Sequence, residues 1–544
     1  MEGLMTAEKY LGKWAFEVPP EKVPEAEVKD TVTAEVVVIG AGTAGLITAN
    51  SAMDEGLDVV LITGSDRPIS RGGSNAAAFS KTMKEAGYGP LDPWYVEKEI
   101  LANGNMVDQK KWYKWYNHSE EAFNYVIDYM ESKGYQTALE QGNHMKEHGL
   151  HYSPVISHGW AKDIRAGKAG VGQASLVNEF AERFVKGGGR LIFKLAGYYF
   201  EKDGDRVAAV IARDLENGGY VRYRGTKAVV IAAGDFSKDK DMMAKYVSPY
   251  IDCVREASYN SPEDYNARGG NGIFRGDMLK AALWAGAAWQ KSLPNCVMLS
   301  NFSNGAVVSR YQNFPGLLLD ADGERFMNEY CSRAFGPVTQ HLNKKGLSWA
   351  IWDSDWYDHF TWYDVMKPDQ YKDEFTYTRE QVMSGWDAKA DGSFTPPKMF
   401  FDAEIKRPQW FKADTIEELV EKAGLPPKAL ETIRNYNKMC HEGRDSEYHK
   451  DPDFMIPVEK GPFYCHKEDF THMNLFTVLG GPRTNSNMQV CDEKDDPIPG
   501  LYIVGTGVGD MFAGHYTFMT EGACYGACCI TFGYLTGKYI AENE

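Results

Sequence analysis

The stretch Glu35-Val-Val-Val-Ile-Gly-Ala-Gly-Thr-Ala-Gly45 decides how this chain is read. Val36 to Ile39 form an unbroken β-branched run, which predicts a short strand buried on both faces. Gly40, Gly42 and Gly45 follow at the G-x-G-x-x-G spacing, and Thr43 to Glu55 continues as a predicted helix ending at Gly56. Each glycine has its reason: the first permits a tight turn, the second lets backbone approach a pyrophosphate, and the third lets the helix pack closely on the strand. Phosphates would rest at the helix N-terminus, against the amides around Thr43 and Ala44. A second apolar strand, Asp58-Val-Val-Leu-Ile-Thr63, completes a βαβ unit, so a dinucleotide-binding site is expected here.

Outward from that unit, the whole chain sets bounds. At 544 residues it is long enough for two or three domains and a large core. A formal charge of −17 argues against nucleic acid and anionic membrane surfaces as partners. No apolar run approaches the roughly 20 residues of a bilayer span, and the first residues lack the pattern of a secretion signal. The nine cysteines are scattered, without a disulfide framework or a haem or iron–sulfur motif, so a cytoplasmic, reducing setting is expected. Cys524, Cys528 and Cys529 fall at helical spacing in an apolar segment and read as packing residues.

In chain order, residues 1–33 read as a charged, proline-bearing arm laid over the first domain. The loop Arg67-Pro-Ile-Ser-Arg-Gly-Gly-Ser-Asn-Ala76 offers small residues, among them Gly72, Gly73 and Ser74, suited to close approach of a cofactor. A helix is predicted from Glu120 to Ser132, capped by Ser119, with Phe123, Val126, Ile127 and Met130 inward and Gly134 as its stop. His144, His148, His151 and His158 lie in a stretch broken by Gly149, Pro154 and Gly159, which reads as a solvated or cofactor-facing loop rather than a metal site. From Leu191 to Ile231 the turns at Asp203-Gly204 and Asn217-Gly-Gly219 predict an antiparallel meander. It ends in a buried strand, Ala228-Val-Val-Ile-Ala-Ala-Gly234, and Gly276-Asp277 then opens a helix over Met278 to Ala285.

Composition shifts after about residue 310: tryptophan, tyrosine, lysine and proline rise, and the α/β rhythm is lost. That marks an inserted domain, in which Thr415-Ile-Glu-Glu418 is a capping box and a second helix follows from about Lys428 to Met439. The α/β pattern resumes at Pro499-Gly-Leu-Tyr-Ile-Val-Gly-Thr-Gly507, followed by a small-residue helix with Gly522 and Ala523. The organisation expected is therefore an arm (1–33), a nucleotide-binding domain in two pieces (34–310 and 475–544) and a capping domain (311–474).

Five motifs in order carry a family resemblance: Gly40-x-Gly-x-x-Gly45, Ala228 to Gly234, Gly276-Asp277, Gly323-Glu-Arg-Phe-Met-Asn-Glu329, and Pro497 to Gly505. From Ala34 to Lys538 the chain resembles the flavoproteins of the fumarate reductase and succinate dehydrogenase group, which includes 3-ketosteroid dehydrogenases and urocanate reductases. The resemblance implies an α/β fold with a discontinuous Rossmann-like FAD-binding domain and an inserted α+β cap. It implies FAD extended from the Gly40 turn to the C-terminal helix, near Ala233, Gly234, Asp277, Gly505, Thr506, Gly522 and Ala523. It also implies a small-molecule substrate held between flavin and cap, with hydride exchanged at a carbon–carbon bond and a protein group handling the proton.

The departures from the family pattern shape the expectation. Thr63 stands where an acidic residue usually meets the adenosine ribose, and Thr506 where relatives often have glutamate. No histidine lies in the Arg71 to Asn75 loop where respiratory relatives attach flavin, so FAD is expected to be noncovalent. Thr477 falls at a substrate-binding histidine position and Met519 at the carboxylate-binding arginine position. Loss of those readers predicts a neutral or largely apolar substrate, with His472, His515 and Tyr516 as further pocket residues. Tyr357 falls at the position of the catalytic acid, and Glu329 and Arg333 in the family's proton-relay region. The expected activity is reduction of an activated C=C bond in a steroid-like enone or aryl-substituted unsaturated acid. The alternatives are a 3-ketosteroid-type dehydrogenase and, in another class, a non-catalytic flavin electron-transfer subunit. With no redox module fused, electrons are expected from a separate reduced flavin, nicotinamide or ferredoxin-type donor.

Overall fold

A computed structural model describes residues 14–70, 73–140, 154–164, 172–248, 259–267, 274–299, 316–329, 346–359, 376–393, 409–469, 474–514, 516–517 and 519–544. Strand β1 (Val28–Ile39) leads into helix α1 (Thr43–Asp54) and strand β2 (Val59–Ile62). Next come β3 (Asn75–Ala76), helices α2 (Trp94–Ala102) and α3 (Gln109–Ser132), β4 (Gln136–Leu139), β5 (Ser157–Ala161) and helix α4 (Gln173–Lys186). Strands β6 (Arg190–Ile192), β7 (Leu195–Asp203), β8 (Arg206–Asp214) and β9 (Tyr220–Ile231) precede helix α5 (Asp277–Trp284) and strand β10 (Asn295–Leu299).

After β10 come β11 (Leu317–Leu319), β12 (Leu347–Asp353), α6 (Arg379–Ala390), β13 (Gln409–Ala413), α7 (Ile416–Lys422), α8 (Lys428–Glu442) and β14 (Phe463–Asp469). The chain then returns through β15 (Asn474–Leu479), β16 (Gln489–Cys491) and β17 (Pro497–Ile503), a π-helical turn Cys524–Thr531, and helix α9 (Phe532–Asn543).

The main sheet has the order β16-β17-β9-β1-β2-β6, with β17, β9, β1, β2 and β6 parallel, and β8 and β7 continuing from β9 as the expected antiparallel meander. Alternation along the parallel strands explains the unbroken apolar runs. Val36, Val38, Ala228, Val230 and Tyr502 enter one core, with α1, α3 and α4. Val37, Ile39, Val229, Ile231, Leu501 and Ile503 enter the other, with α5. A strand covered on both sides has no solvent face on which to place a polar residue. A second sheet, β11-β12-β14-β13, is antiparallel and also buries both faces: α7 and α8 cover one, α6 and a tryptophan cluster the other. β10 pairs with β15 in a separate two-stranded ribbon, joining the outward and returning passes of the chain.

Four details depart from the sequence reading. β1 starts at Val28, so residues 28–33 belong to the sheet, paired with the first half of β9, rather than to the arm. Helix α3 begins at Gln109, not Glu120: Asp108 caps it through Lys110 N–H, while Ser119 lies mid-helix and accepts from Ala78 N–H at 2.9 Å. Trp112 and Trp115, both fully buried, continue the inward stripe through residues whose neighbours are charged. His158 lies within β5 and is fully buried, whereas a loop was expected; His144, His148 and His151 lie outside the described residues. The three C-terminal cysteines sit in a π-helical turn, where Gly526 approaches Ala76 so closely that a Cβ would lie 1.8 Å from its carbonyl oxygen.

Candidate active site

The glycine turn is tightly built. Gly40 adopts φ +117°, and a Cβ there would meet Ala232 O at 2.3 Å. A Cβ on Gly45 would lie 1.9 Å from Gly40 O. Gly42 is different: the nearest atom to a Cβ there is Ile69 O at 3.4 Å, and α1 begins beside it with no side-chain cap on its first amides. The Gly42 Cβ position and those amides therefore fit an anion brought in from outside.

The tips of the parallel strands converge on this turn. Gly234, after β9, has φ +84° and lies against Phe274, and a Cβ on Gly507 would approach its carbonyl oxygen at 3.6 Å. A Cβ on Gly505 would lie 3.2 Å from the Ala44 methyl, and Thr506 O accepts from Gly480 N–H at 2.9 Å. Ala233 adjoins Gly234 between these tips. Thr63 ends β2 with its hydroxyl paired to Ser65 Oγ at 3.0 Å. Asp277 opens α5 and pairs with Lys280 at 3.0 Å.

A buried polar network ties the turn to the next loop. Gln173 Nε2 donates to Thr43 Oγ1 at 2.6 Å, and Thr43 shares a further bond of 2.8 Å with Ser70. Asn75 Nδ2 donates to Gln173 Oε1 at 2.9 Å and to His158 O at 3.1 Å, and also reaches Gly73 O. Ser74 Oγ donates to Glu140 at 2.7 Å. Gly522 packs on this loop, its Cβ position 2.7 Å from the Ser74 carbonyl, and Ala523 is fully buried beside it. Gly72 lies outside the described residues. Gln173 carries no sequence signal, and for Asn75 and His158 the sequence offers only a loop, because their partners are far apart in the chain.

His158 gives this network a pH signature. Nδ1 lies 3.1 Å from Asn75 O, so that nitrogen carries the proton and Nε2 accepts from Ser80 Oγ at 2.7 Å. Burial pushes its pKa down from 6.5 to about 4. An unfolded chain takes up this proton below pH 6.5, but the folded chain does so only near 4. Stability is therefore undiminished above pH 6.5 and falls as pH drops toward 4, by about 2 kcal/mol between pH 7 and 5. Urea unfolding of the parent and His158→Gln at the two pH values should show that the variant lacks this extra loss; equal losses in both would remove His158 as its source.

On the substrate side, Met519 and Tyr516 are buried, and Tyr516 OH accepts from Gly522 N–H at 3.0 Å. Thr477 Oγ1 donates to Asp235, whose carboxylate also takes Val478 N–H at 3.1 Å and Ser237 Oγ at 2.6 Å. The Thr477 hydroxyl therefore spends its proton on Asp235 and keeps its acceptor lone pairs. His472, His515 and Arg333 lie outside the described residues.

Glu329, expected in a proton relay, is held by ion pairs with its neighbours. It is fully buried and bound bidentately by Arg325, through Nε at 3.0 Å and Nη2 at 2.9 Å, with Lys450 at 3.4 Å. Arg325 also grips Asp445 at 3.0 and 2.8 Å, which holds that carboxyl well below its usual range despite burial. Among the described residues this ion cluster ties the stretch around Arg325 to Asp445 and Lys450 of the second sheet's surroundings. Tyr357 lies in a 3₁₀ turn after β12 and donates to Tyr377 O at 3.0 Å, with the Arg379 guanidinium 5.7 Å from its ring. It packs in the tryptophan-rich core, whereas the Glu329 cluster meets Tyr436 from the core on the other face.

A parallel sheet whose strand tips converge on a glycine turn and an uncapped helix start, with an inserted second sheet, defines a dinucleotide-binding protein. Residues 35–522 match the FAD binding domain family, and the chain belongs to it. It is thus one of a group of FAD-dependent reductases and dehydrogenases that act on carbon–carbon bonds. Among its relatives is vinyl phenol reductase of Lactiplantibacillus plantarum, 22% identical over 526 residues, covering 93% of this chain and 96% of that one. Another is 3-oxosteroid 1-dehydrogenase of Mycolicibacterium smegmatis, 28% identical over 375 residues, covering 63% of this chain and 58% of that one. The fold is similar to the crystal structure of 3-ketosteroid-delta4-(5alpha)-dehydrogenase from Rhodococcus jostii RHA1, with TM-score 0.66 and 21% identity over 96% of this chain and 99% of that one. No described helix is long and apolar enough to cross a membrane.

Proposed function

We propose that this chain reduces an activated carbon–carbon double bond in a neutral or largely apolar substrate, such as a steroid-like enone or an aryl-substituted unsaturated acid. FAD, bound noncovalently between the Gly40 turn and the Gly522 segment, supplies hydride chemistry. The carrying observation is the returning segment from Gly505 to Gly522, which contains no lysine or arginine and only Asp510 and Glu521 as acids. Asp510 is engaged by Lys291 N–H and Ser292 N–H, each at 3.0 Å, while Phe512, Tyr516 and Met519 are buried. A turn that read a carboxylate would need a guanidinium fork. Similarity to a protein named vinyl phenol reductase supports an aryl-bearing alkene.

The protein's tasks are to hold the alkene, exclude water and deliver one proton to the carbon next to the one that receives hydride. We assign that proton to Tyr357, whose phenol is half-buried on the cap. Arg333 belongs to the same assignment as a route from solvent, and electrons come from a separate donor. The FAD-loaded chain with a reduced viologen dye should oxidise the dye with enones or hydroxystyrenes at a kcat/KM about 100-fold above that with fumarate. A preference for fumarate, or no turnover with any alkene, would overturn the proposal. In the same assay Tyr357→Phe should keep its flavin absorbance and lose about 100-fold in kcat, and an unchanged rate removes Tyr357 from the mechanism.

A dehydrogenase reading is favoured by the 3-oxosteroid 1-dehydrogenase relative. Reduction of an oxidised dye by saturated ketosteroids, without alkene reduction, would select it.

A further inference from the structure

The described residues of the stretch 509–520 are docked by buried polar side chains on α3, on α2 and at its C-cap. Lys111 Nζ donates to Gly509 O at 2.7 Å and Trp112 Nε1 to Met511 O at 2.8 Å. Asn103 Oδ1 accepts from Ala513 N–H at 2.6 Å. One turn earlier, Glu99 Oε1 takes three donors: Thr517 Oγ1 at 2.6 Å, Thr520 Oγ1 at 2.6 Å and Thr520 N–H at 3.0 Å. Glu99, Thr517 and Thr520 are each about 1% exposed. Thr517 Oγ1 also accepts from Met519 N–H at 3.0 Å, so the turn carrying Met519 is closed from inside.

We propose that Glu99 is the positioning and specificity residue of the substrate site: by gathering both threonine hydroxyls onto one buried oxygen, it fixes the Tyr516–Thr520 turn and withdraws its polar groups from the ligand. This rests on the reading above that the turn faces substrate. The balance of forces fits an anchor rather than a proton carrier. Burial pushes the Glu99 carboxyl above its usual range, and the three hydrogen bonds pull the other way. Its second oxygen is buried with no hydrogen-bond partner among the described residues. Asn103, four residues on along α2, grips the same segment from the same side.

The test compares FAD-loaded parent, Glu99→Gln and Glu99→Leu by hydrogen exchange over 516–522 and by KM and kcat for the preferred alkene. Glu99→Leu should lose about 10- to 100-fold of the amide protection and raise KM about 10-fold, with kcat within about threefold of the parent. Glu99→Gln keeps an acceptor oxygen and should restore both to within about threefold of the parent. Parental protection and KM in Glu99→Leu, or a glutamine variant as impaired as the leucine one, overturns the anchor. If Glu99→Leu does not fold, Thr517→Val with Thr520→Val removes the same side-chain donors. That pair should lose protection about 10-fold or more, and parental protection would overturn the anchor. Exchange is read without turnover, so an inactive parent sinks the proposed function while the exchange data still decide the anchor.

Discussion

A Gly45→Ala chain should be recovered without FAD and with a lowered melting temperature. The added methyl would lie 1.9 Å from Gly40 O and 3.2 Å from the Ala232 methyl. Gly40 is itself pinned by its N–H to Ile62 O at 2.8 Å, so neither backbone can move aside alone. Relieving the overlap means parting α1 from the strand tips, at about 1–3 kcal/mol, and the turn opens as it happens. Gly42→Ala is the informative companion. Its φ is −89° and, among the described residues, a Cβ there meets only Ile69 O, at 3.4 Å, so the protein without cofactor should melt like the parent. Its FAD affinity should nonetheless fall about 10-fold or more, because the methyl enters the face assigned to the pyrophosphate. Titration of the apoprotein with FAD, paired with thermal melts, separates the two. Parental melting and binding in Gly45→Ala, or parental FAD binding in Gly42→Ala, would contradict this account of the turn.

Arg325→Met should destabilise the cap by about 3–5 kcal/mol, lowering its melting transition by about 10 °C. The arginine side chain is 1% exposed and holds two carboxylates, Glu329 and Asp445, that are themselves fully buried. Removing it leaves Lys450 as the remaining buried cation of the cluster, 3.4 Å from Glu329. Arg325→Lys should recover little, since one ammonium cannot span two bidentate partners. The cation also lies over the rings of Tyr436 and Tyr448, 5.1 and 4.9 Å away, so its loss loosens α8 as well. FAD content should survive, because the cluster belongs to the second sheet. A cap transition unchanged in Arg325→Met would show that the cluster is not what holds it.

The glycine spacing and the apolar runs were legible because they answer to local rules: a turn needs its glycines, and a strand buried on two faces needs apolar residues throughout. The resumption at Pro499 was legible for the same reason. What failed to show were relations across the chain. Gln173 meets Thr43 and Asn75 at separations of 130 and 98 residues, and no periodicity carries such a pairing. The first eleven residues of α3 escape the sequence reading because Lys110, Lys111 and Lys114 interrupt the stripe, although Lys111 is wholly inside. For Glu329 and Thr477 similarity marks a position, and only packing reveals that Arg325 and Asp235 are their partners. Glu99 had no signal at all, since an acid on an amphipathic helix reads as solvated until its neighbours are known.

The ribbon of β10 and β15 has an evolutionary consequence. Leu299 and Asn474 stand opposite one another in its register, on neighbouring strands about 4.8 Å apart. Everything between them enters and leaves through one narrow doorway, so an ancestral recombination could exchange that whole stretch without rethreading the sheet. The nucleotide-binding part would keep its doorway, its glycine turn and the Glu99-anchored segment, all of which such an exchange leaves in place. The intervening half is then free to be inherited as a cassette, and substrate range can change by replacement as well as by the slow accumulation of point changes.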